Sequence, residues 1–303
     1  MNKVLVVSLQ QAIYENLLEN ACLPGLELTQ DPEQASIILA DPPKVAGQLG
    51  HYPQLRWLQS TFAGIDALTQ PGLRRDYALT NIKGCFGQLI AEYVLGLLLG
   101  HQRHFATYRQ QQASQTWQPK PYQTIAGQTM VILGTGSIGS HLARVATAFG
   151  LRVVGVNRSG QANSPAFDTV YSLAQLPMAL AQADILVSTL PATQDTDNLL
   201  DAAHLARCSG SLLFNVGRGN AVCEQGLLSA LDSGAVEHAF LDVFKQEPLP
   251  SDSPLWQHPG ITLTPHIAAE SFPEQVMAIF CDNYHRWRQS QPLQYQVDFE
   301  RGY

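Results

Sequence analysis

The chain has 303 residues, enough for about two domains and for a core that buries most of the apolar surface. With 45% hydrophobic and only 14% charged residues it is excluded from the disordered and tail-like classes. A net charge of −7 argues against a nucleic-acid groove or an anionic membrane surface as its main partner.

Short apolar runs alternate with helix-like segments, the pattern of an α/β protein. Strands are expected at residues 3–7, 36–40, 55–59 and 78–80, with a helix over 12–19. The first apolar run is too short for a secretory signal. Residues 92–109 read as one long helix, too apolar around Val94, Leu95, Leu97, Leu98 and Leu99 for a surface, so it is placed where two domains meet. Its apolar stretch, 93–100, is far below the ~20 residues of a spanning helix. Residues 110–123, Gln-rich with Trp117 and two prolines, are either a linker or an arm packing on a second subunit. Further strands are expected at 130–133, 152–156, 185–189, 211–215, 239–242 and 261–264. The helices are expected at 137–149, 176–181, 224–233 and from Pro273 to about Arg288, after which the tail returns to the first domain.

Gly134-Thr135-Gly136-Ser137-Ile138-Gly139 directly follows an apolar strand and opens a helix. Gly134 makes the tight turn, Gly136 lets the backbone approach a pyrophosphate, and Gly139 lets helix and strand pack closely. The helix N-terminus then offers unpaired N–H groups to the phosphates. Strand, turn, helix and second strand fall within about 30 residues, which makes this a dinucleotide site rather than a glycine-rich turn. The second strand ends in Asn157-Arg158-Ser159, where NAD enzymes usually place a carboxylate for the ribose 2′-hydroxyl. Without that carboxylate a 2′-phosphate is not repelled, the Arg158 guanidinium pairs with it and Ser159 donates a hydrogen bond. NADP(H) is therefore preferred, with NAD(H) the alternative if Arg158 merely faces water.

Three later strands end in different polar groups: Arg218 after 211–215, Asp242 and then Glu247-Pro248 after 239–242, and His266 after 261–264. Ligands of a doubly wound sheet bind outside the carboxyl ends of its strands, so these groups are expected around one ligand. Reduction of a 2-oxo acid needs a hydride at the carbonyl carbon, a proton at its oxygen and an anchor for the carboxylate. A protonated His266 is the proton donor, Glu247 stabilises and orients the imidazolium, and Arg218 holds the carboxylate and polarises the carbonyl. Taken singly each has a bland reading: a surface arginine, a loop start, a packed histidine.

The chain resembles the D-2-hydroxyacid dehydrogenase family in five ordered motifs: residues 134–139, Leu190-Pro191, Asn215-Val216-Gly217-Arg218-Gly219, Asp242-Val243-Phe244 with Glu247-Pro248, and Thr264-Pro265-His266-Ile267. The resemblance implies that Arg218, Glu247 and His266 are the catalytic trio and that Asp242 meets the nicotinamide carboxamide. It runs the cofactor along Leu190, Pro191, Val216, Gly217, His266 and Ala268, with Thr196 a phosphate contact. Thr61-Phe62-Ala63-Gly64-Ile65-Asp66 resembles the family's substrate loop, which implies Phe62, Ala63 and Gly64 as substrate-binding residues, the amides of Ala63 and Gly64 taking the carboxylate. Ala91-Glu92-Tyr93 is similar to the start of its interdomain helix. The tail, Gln294 through Val297-Asp298 to Arg301-Gly302-Tyr303, is similar to that of the glyoxylate/hydroxypyruvate reductase branch. In that branch an aromatic such as Trp117 enters a neighbouring subunit's site; core or arm packing is the alternative.

Pattern and resemblance together imply an α/β protein of two doubly wound parallel-sheet domains, Rossmann- or flavodoxin-like, with a cleft between them. Residues 1–95 and 275–303 form the substrate-binding domain and 96–274 the dinucleotide-binding domain. The expected protein is a homodimer in the cytoplasm acting on a small 2-oxo acid. Five scattered cysteines without a C-x-x-C pair agree with a reducing compartment and exclude a disulfide framework. No metal site is expected, since His101 and His104 have no third ligand in sequence. A nucleotide-sensing corepressor of the same fold is the alternative function. A SAM-binding methyltransferase explains the glycine turn but not Arg218, Glu247 and His266.

Overall fold

The structure is a computed structural model that describes residues 1–162 and 164–300. The end of the tail motif, Arg301-Gly302-Tyr303, lies outside the described residues. Two compact units divide the chain, Met1–Cys85 with Ser271–Tyr303, and Phe86–Glu270.

The first unit opens with β1 (Asn2–Val7), α1 (Gln11–Ala21), β2 (Leu26–Leu28), β3 (Ile37–Ala40), α2 (Pro42–Val45), β4 (Trp57–Ser60) and β5 (Ala78–Thr80). All strand pairs are parallel and the order is β2-β1-β3-β4-β5, the flavodoxin-like winding. Strands β3 and β4 are buried at every residue; β3 therefore reads as a continuous apolar run, while β4 ends in the buried polar pair Gln59 and Ser60.

The second unit begins with α3 (Phe86–Gln102) and α4 (Phe105–Ala113). It continues through β6 (Thr129–Leu133), α5 (Ser137–Ala148), β7 (Arg152–Asn157), β8 (Thr169–Ser172), α6 (Leu176–Leu180) and β9 (Ile185–Ser188). It ends with α7 (Ala202–Leu205), β10 (Ser211–Asn215), α8 (Glu224–Asp232), β11 (Val236–Leu241) and β12 (Ile261–Leu263). The seven parallel strands run β12-β11-β10-β9-β6-β7-β8, the Rossmann winding extended by one strand. Side chains alternate between the two faces as the strand period requires. Val131, Leu133, Leu186 and Leu213 enter one core, while Met130, Ile132, Val187 and Phe214 enter the other with α3 and α5 residues such as Val94, Leu98 and Leu142.

The chain re-enters the first unit through α9 (Pro273–Arg288). Phe280 stacks on Trp57 with ring centroids 5.1 Å apart, and the Trp57 indole donates to Thr80 Oγ1 at 2.8 Å. Asn283, wholly buried, turns the tail back by exchanging two hydrogen bonds with the Gln294 backbone, at 2.7 and 3.1 Å. Val297 N then donates to Leu79 O at 2.8 Å, so the tail lies along β5.

Two local differences from the sequence reading have clear causes. The long helix expected over 92–109 starts earlier, at Phe86, and breaks at His104, whose φ of +56° is left-handed and incompatible with a continuing helix. None of the α4 side chains is buried, which leaves no packing force to hold the two helices in line. Strands β2 and β8 were not anticipated; both are short edge strands without a buried residue, so neither carries an apolar run.

On β11 the His238 imidazole is pushed from its usual 6.5 down to about 4, first by burial and then by the neighbouring His101 and His258. Its Nε2 lies 2.8 Å from Thr262 Oγ1, and His101 in turn lies 3.6 Å from Glu237. An unfolded chain protonates this histidine near 6.5 and the folded one only near 4, so stability is lost as pH falls through that window. Thermal unfolding followed from pH 7 to pH 4 is expected to show a shallower loss for His238→Gln than for the wild type.

Candidate active site

Every segment singled out in the second half follows the carboxyl end of a strand in one parallel sheet. The ladder pairs Leu133 with Val156 and Ser188, Ser188 with Asn215, Asn215 with Leu241, and Leu241 with Leu263. The loops that follow therefore emerge along a single edge of the sheet, where doubly wound folds bind their ligands.

The glycine turn has the close approaches that its spacing implies. A Cβ on Gly139 would lie 2.0 Å from the Gly134 carbonyl oxygen, so only glycine lets α5 start against β6. Gly134 adopts φ +98°, and Thr189 Oγ1 donates to the Leu133 and Gly134 carbonyls at 3.0 and 3.2 Å, pinning the turn from the neighbouring strand. A Cβ on Gly136 would meet nothing within 4 Å. The turn thus leaves open space in front of an α5 N-terminus that no side chain caps, an electropositive cradle of the kind that holds a pyrophosphate. Ser137 and Ile138 form the first turn of that helix, and Thr135 is buried beneath it.

Asn157, at the end of β7, uses both ends of its amide within the chain. Its Oδ1 accepts from Ser159 N and Gly160 N at 3.1 and 2.7 Å, while its Nδ2 donates to Thr135 Oγ1 and the Gln161 carbonyl at 2.9 and 2.8 Å. The amide therefore ties the loop after β7 to the glycine turn. Arg158 is exposed, with its guanidinium 3.8 Å from the Asp195 carboxylate, a water-screened pair worth little on its own. Ser159 is exposed beside it. In the loop after β9, Leu190 is buried and Pro191 exposed. Thr196 Oγ1 donates to the Pro191 carbonyl at 2.7 Å and accepts from Thr193 N at 2.9 Å, so its hydroxyl shapes the loop from within.

Arg218 is held between two glycines that exclude any side chain. A Cβ on Gly217 would lie 2.6 Å from Leu190 N and O, and one on Gly219 would lie 1.9 Å from the Phe244 carbonyl carbon. Asn215 Nδ2 donates to the Arg218 carbonyl at 3.0 Å, and an Arg218 Nη1 donates to the Gly217 carbonyl at 2.7 Å. Val216, between them, is partly buried against the core. Glu247 accepts from Phe244 N at 2.9 Å through Oε1, and its Oε2 lies 2.7 Å from His266 Nδ1. A carboxylate can only accept, so Nδ1 carries a proton and Nε2 is the ring nitrogen left to exchange one. The His266 side chain is 51% exposed, which leaves that nitrogen accessible.

Asp242 is 1% exposed and accepts three hydrogen bonds, from Thr264 Oγ1 at 2.6 Å, Ile267 N at 2.8 Å and Ala268 N at 2.9 Å. Sequence reading reserved Asp242 for the nicotinamide. The structure adds that most of its lone pairs hold the His266 loop, leaving one direction on Oδ2 for an outside donor. Neither this role nor that of Thr189 has a sequence signal, because both depend on which strand ends lie side by side.

In the first unit, the loop after β4 is braced by Ser60 Oγ, which accepts from Phe62 N at 2.9 Å, and by Asn81 Nδ2, which donates to the Ala63 carbonyl at 2.7 Å. The amides of Ala63 and Gly64 have no acceptor within the chain among the described residues, so they are available to an anion. Trp117 is 98% exposed, which rules out core packing. No group of three or more metal-ligating side chains occurs among the described residues, and no helix there is long and apolar enough to cross a membrane.

Comparison with known proteins follows the same lines. The family model described as D-isomer specific 2-hydroxyacid dehydrogenase, NAD binding domain, matches residues 95–268. The chain is 46% identical to a solved D-isomer specific 2-hydroxyacid dehydrogenase family protein from Aeromonas salmonicida, with a TM-score of 0.94 over 98% of this chain and 99% of that one. It is 30% identical to a D-isomer specific 2-hydroxyacid dehydrogenase from Xanthobacter autotrophicus solved with NADPH and MES, with a TM-score of 0.89 over 100% and 99% of the two chains. It is 27% identical to an NADPH-dependent glyoxylate/hydroxypyruvate reductase from Sinorhizobium meliloti solved with NADP and sulfate, with a TM-score of 0.89 over the whole of both chains.

Proposed function

This chain belongs to the D-isomer specific 2-hydroxyacid dehydrogenases, NAD(P)-dependent oxidoreductases, and within that family we propose that it reduces a small 2-oxo acid, of the glyoxylate or hydroxypyruvate type, with NADPH. The observation that carries this reading is the His266–Glu247 pair at 2.7 Å, with Nε2 of an exposed imidazole left to deliver a proton. The second unit binds the dinucleotide on the glycine turn, and the first carries the substrate loop.

A dinucleotide held on the glycine turn would supply the hydride chemistry when bound. His266, protonated, gives its Nε2 proton to the carbonyl oxygen as the new C–H bond forms, and is left neutral with Nδ1–H still donated to Glu247. Glu247 favours the imidazolium before transfer and fixes the ring plane, because its other oxygen is tethered to Phe244 N. Arg218 pairs with the substrate carboxylate and polarises the carbonyl. The amides of Ala63 and Gly64 are proposed as further carboxylate donors. The test is NADPH oxidation followed by absorbance against a panel of 2-oxo acids; NADPH that binds but is oxidised by none of them would overturn the substrate assignment.

The preference for NADPH is supported by the exposed Arg158 guanidinium at the end of β7 and by the absence of a carboxylate at Asn157. It is supported also by the relatives solved with NADPH or NADP. Arg158→Ala is expected to raise KM for NADPH by about 10-fold or more, the value of a charge-assisted pair, and to leave KM for NADH within about twofold. Equal effects on both cofactors would reverse the assignment. We also assign a homodimer, supported by the exposed aromatics Phe105, Trp117 and Tyr122 along α4 and the arm after it. Light scattering on the purified protein tests that assignment.

A further inference from the structure

His266 sits in a backbone conformation that a histidine rarely adopts. Its φ is +55°, in the left-handed region, which is strained for a residue with a side chain. Such a residue stays in place only when its surroundings over-determine it. Here Glu247 holds the ring, the Thr264 carbonyl accepts from His266 N at 3.0 Å, and most of the remaining contacts come from one residue, Asp242. His266 N donates to the Asp242 carbonyl at 2.9 Å, and Ile267 N and Ala268 N donate to its two carboxylate oxygens at 2.8 and 2.9 Å. The turn carrying the imidazole is wrapped around that side chain.

Two hydroxyls then complete the arrangement. Thr264 Oγ1 donates to Asp242 Oδ1 at 2.6 Å, and the Tyr93 phenol on α3 lies 2.6 Å from Thr264 Oγ1. Thr264 has a single proton, which is given to the carboxylate, so the phenol must be the donor to Thr264. The direction is thus fixed: Tyr93 O–H to Thr264 O–H to Asp242. Burial pushes the phenol up to about 12, with the Asp242 charge adding to the rise against the Thr264 hydrogen bond, so Tyr93 keeps its proton throughout the neutral range. Each link polarises the next, and the buried carboxylate at the end is held in one rotamer.

We propose that Tyr93 and Thr264, acting through Asp242, are positioning residues of the reduction, anchoring the left-handed turn that aims His266 at the substrate carbonyl. The inference rests on the reading of His266 as proton donor. Neither hydroxyl touches the ring, so the effect of each is on where the imidazole points. If the chain is cut, Asp242 loses one of the two donors to Oδ1 and keeps only Ile267 N there, the turn relaxes toward ordinary backbone angles, and Nδ1 slips from Glu247.

The test compares Thr264→Val, Thr264→Ser and Tyr93→Phe with the wild type and with His266→Gln. The readouts are kcat and KM for a 2-oxo acid, NADPH affinity by fluorescence titration, and thermal unfolding. Thr264→Val, which keeps the shape and deletes the hydroxyl, is expected to lower kcat by about 30- to 100-fold, the scale of an ångström-sized misplacement. Tyr93→Phe is expected to cost about 3- to 10-fold, since Thr264 still reaches Asp242, and Thr264→Ser to stay within about threefold of wild type. In Thr264→Val the loss falls on kcat, while KM for the 2-oxo acid and NADPH affinity each stay within about twofold. Full turnover by Thr264→Val beside an inactive His266→Gln overturns this inference alone. So does an equal loss in Thr264→Ser, which keeps the hydroxyl, or a loss of NADPH affinity in step with kcat, which would assign the chain to the cofactor instead. Full turnover by His266→Gln overturns the proton-donor reading and this inference with it. Should Thr264→Val unfold, the near-isosteric Tyr93→Phe decides the matter by the same readouts.

Discussion

Replacing His266 by glutamine is expected to lower kcat for 2-oxo acid reduction by roughly 10²- to 10⁴-fold, the contribution of a positioned general acid, with NADPH affinity changed less than about threefold. Glutamine can still donate a hydrogen bond toward Glu247, so the loop is left largely in place. It has no group that releases a proton near neutral pH, so the carbonyl oxygen must take its proton from water. The remaining rate comes from orientation and from Arg218. The imidazole is 51% exposed and contributes little packing, so thermal unfolding is expected to change by only a degree or two. Steady-state kinetics on the wild type and variant, with fluorescence titration of NADPH, separate the two effects. A variant with wild-type kcat would mean that another group supplies the proton.

Gly219→Ala is expected to be as damaging through a different route. The added methyl would lie 1.9 Å from the Phe244 carbonyl carbon and 2.1 Å from its oxygen, both backbone atoms that cannot rotate aside. The loop after β10 and the loop after β11 must therefore separate. Arg218 is the preceding residue, and Phe244 N is the donor that holds Glu247, so one methyl displaces two members of the trio. Overpacking of this kind costs about 1–3 kcal/mol, which lowers the unfolding temperature by several degrees. Misplaced groups add a fall in kcat/KM of about 10²-fold or more. By contrast Gly47→Ala, where the methyl meets nothing within 4 Å, is expected to leave both quantities unchanged. Calorimetry and steady-state kinetics on the pair check the difference; an active, stable Gly219→Ala would show that the two loops do not depend on close packing.

Much of the second unit was legible because its signals are local. The apolar strands β6, β7, β9 and β10, buried on both faces, show as continuous runs, and the glycine turn falls between the first of them and a helix. Arg218, Glu247 and His266 were marked by the strand ends that precede them. The edge strands β2 and β8 were invisible for the opposite reason: with one side open they carry no apolar run. The break at His104 was missed because nothing in composition distinguishes a left-handed histidine from a helical one.

The same division runs through the site. Chemistry-bearing residue types, their order and the glycine spacing belong to the chain itself, since each is set by covalent sequence and short-range backbone sterics. Partnership belongs to the sheet. That Glu247 reaches His266, that Thr189 clasps the turn before Gly136, that Asn157 reaches Thr135, and that Tyr93 and Thr264 converge on Asp242 all follow from parallel strands brought side by side in register and from α3 packed against them. Hydrogen bonds act over about 3 Å, and residues 19 to 171 positions apart come within that reach only after the strands and helices have packed.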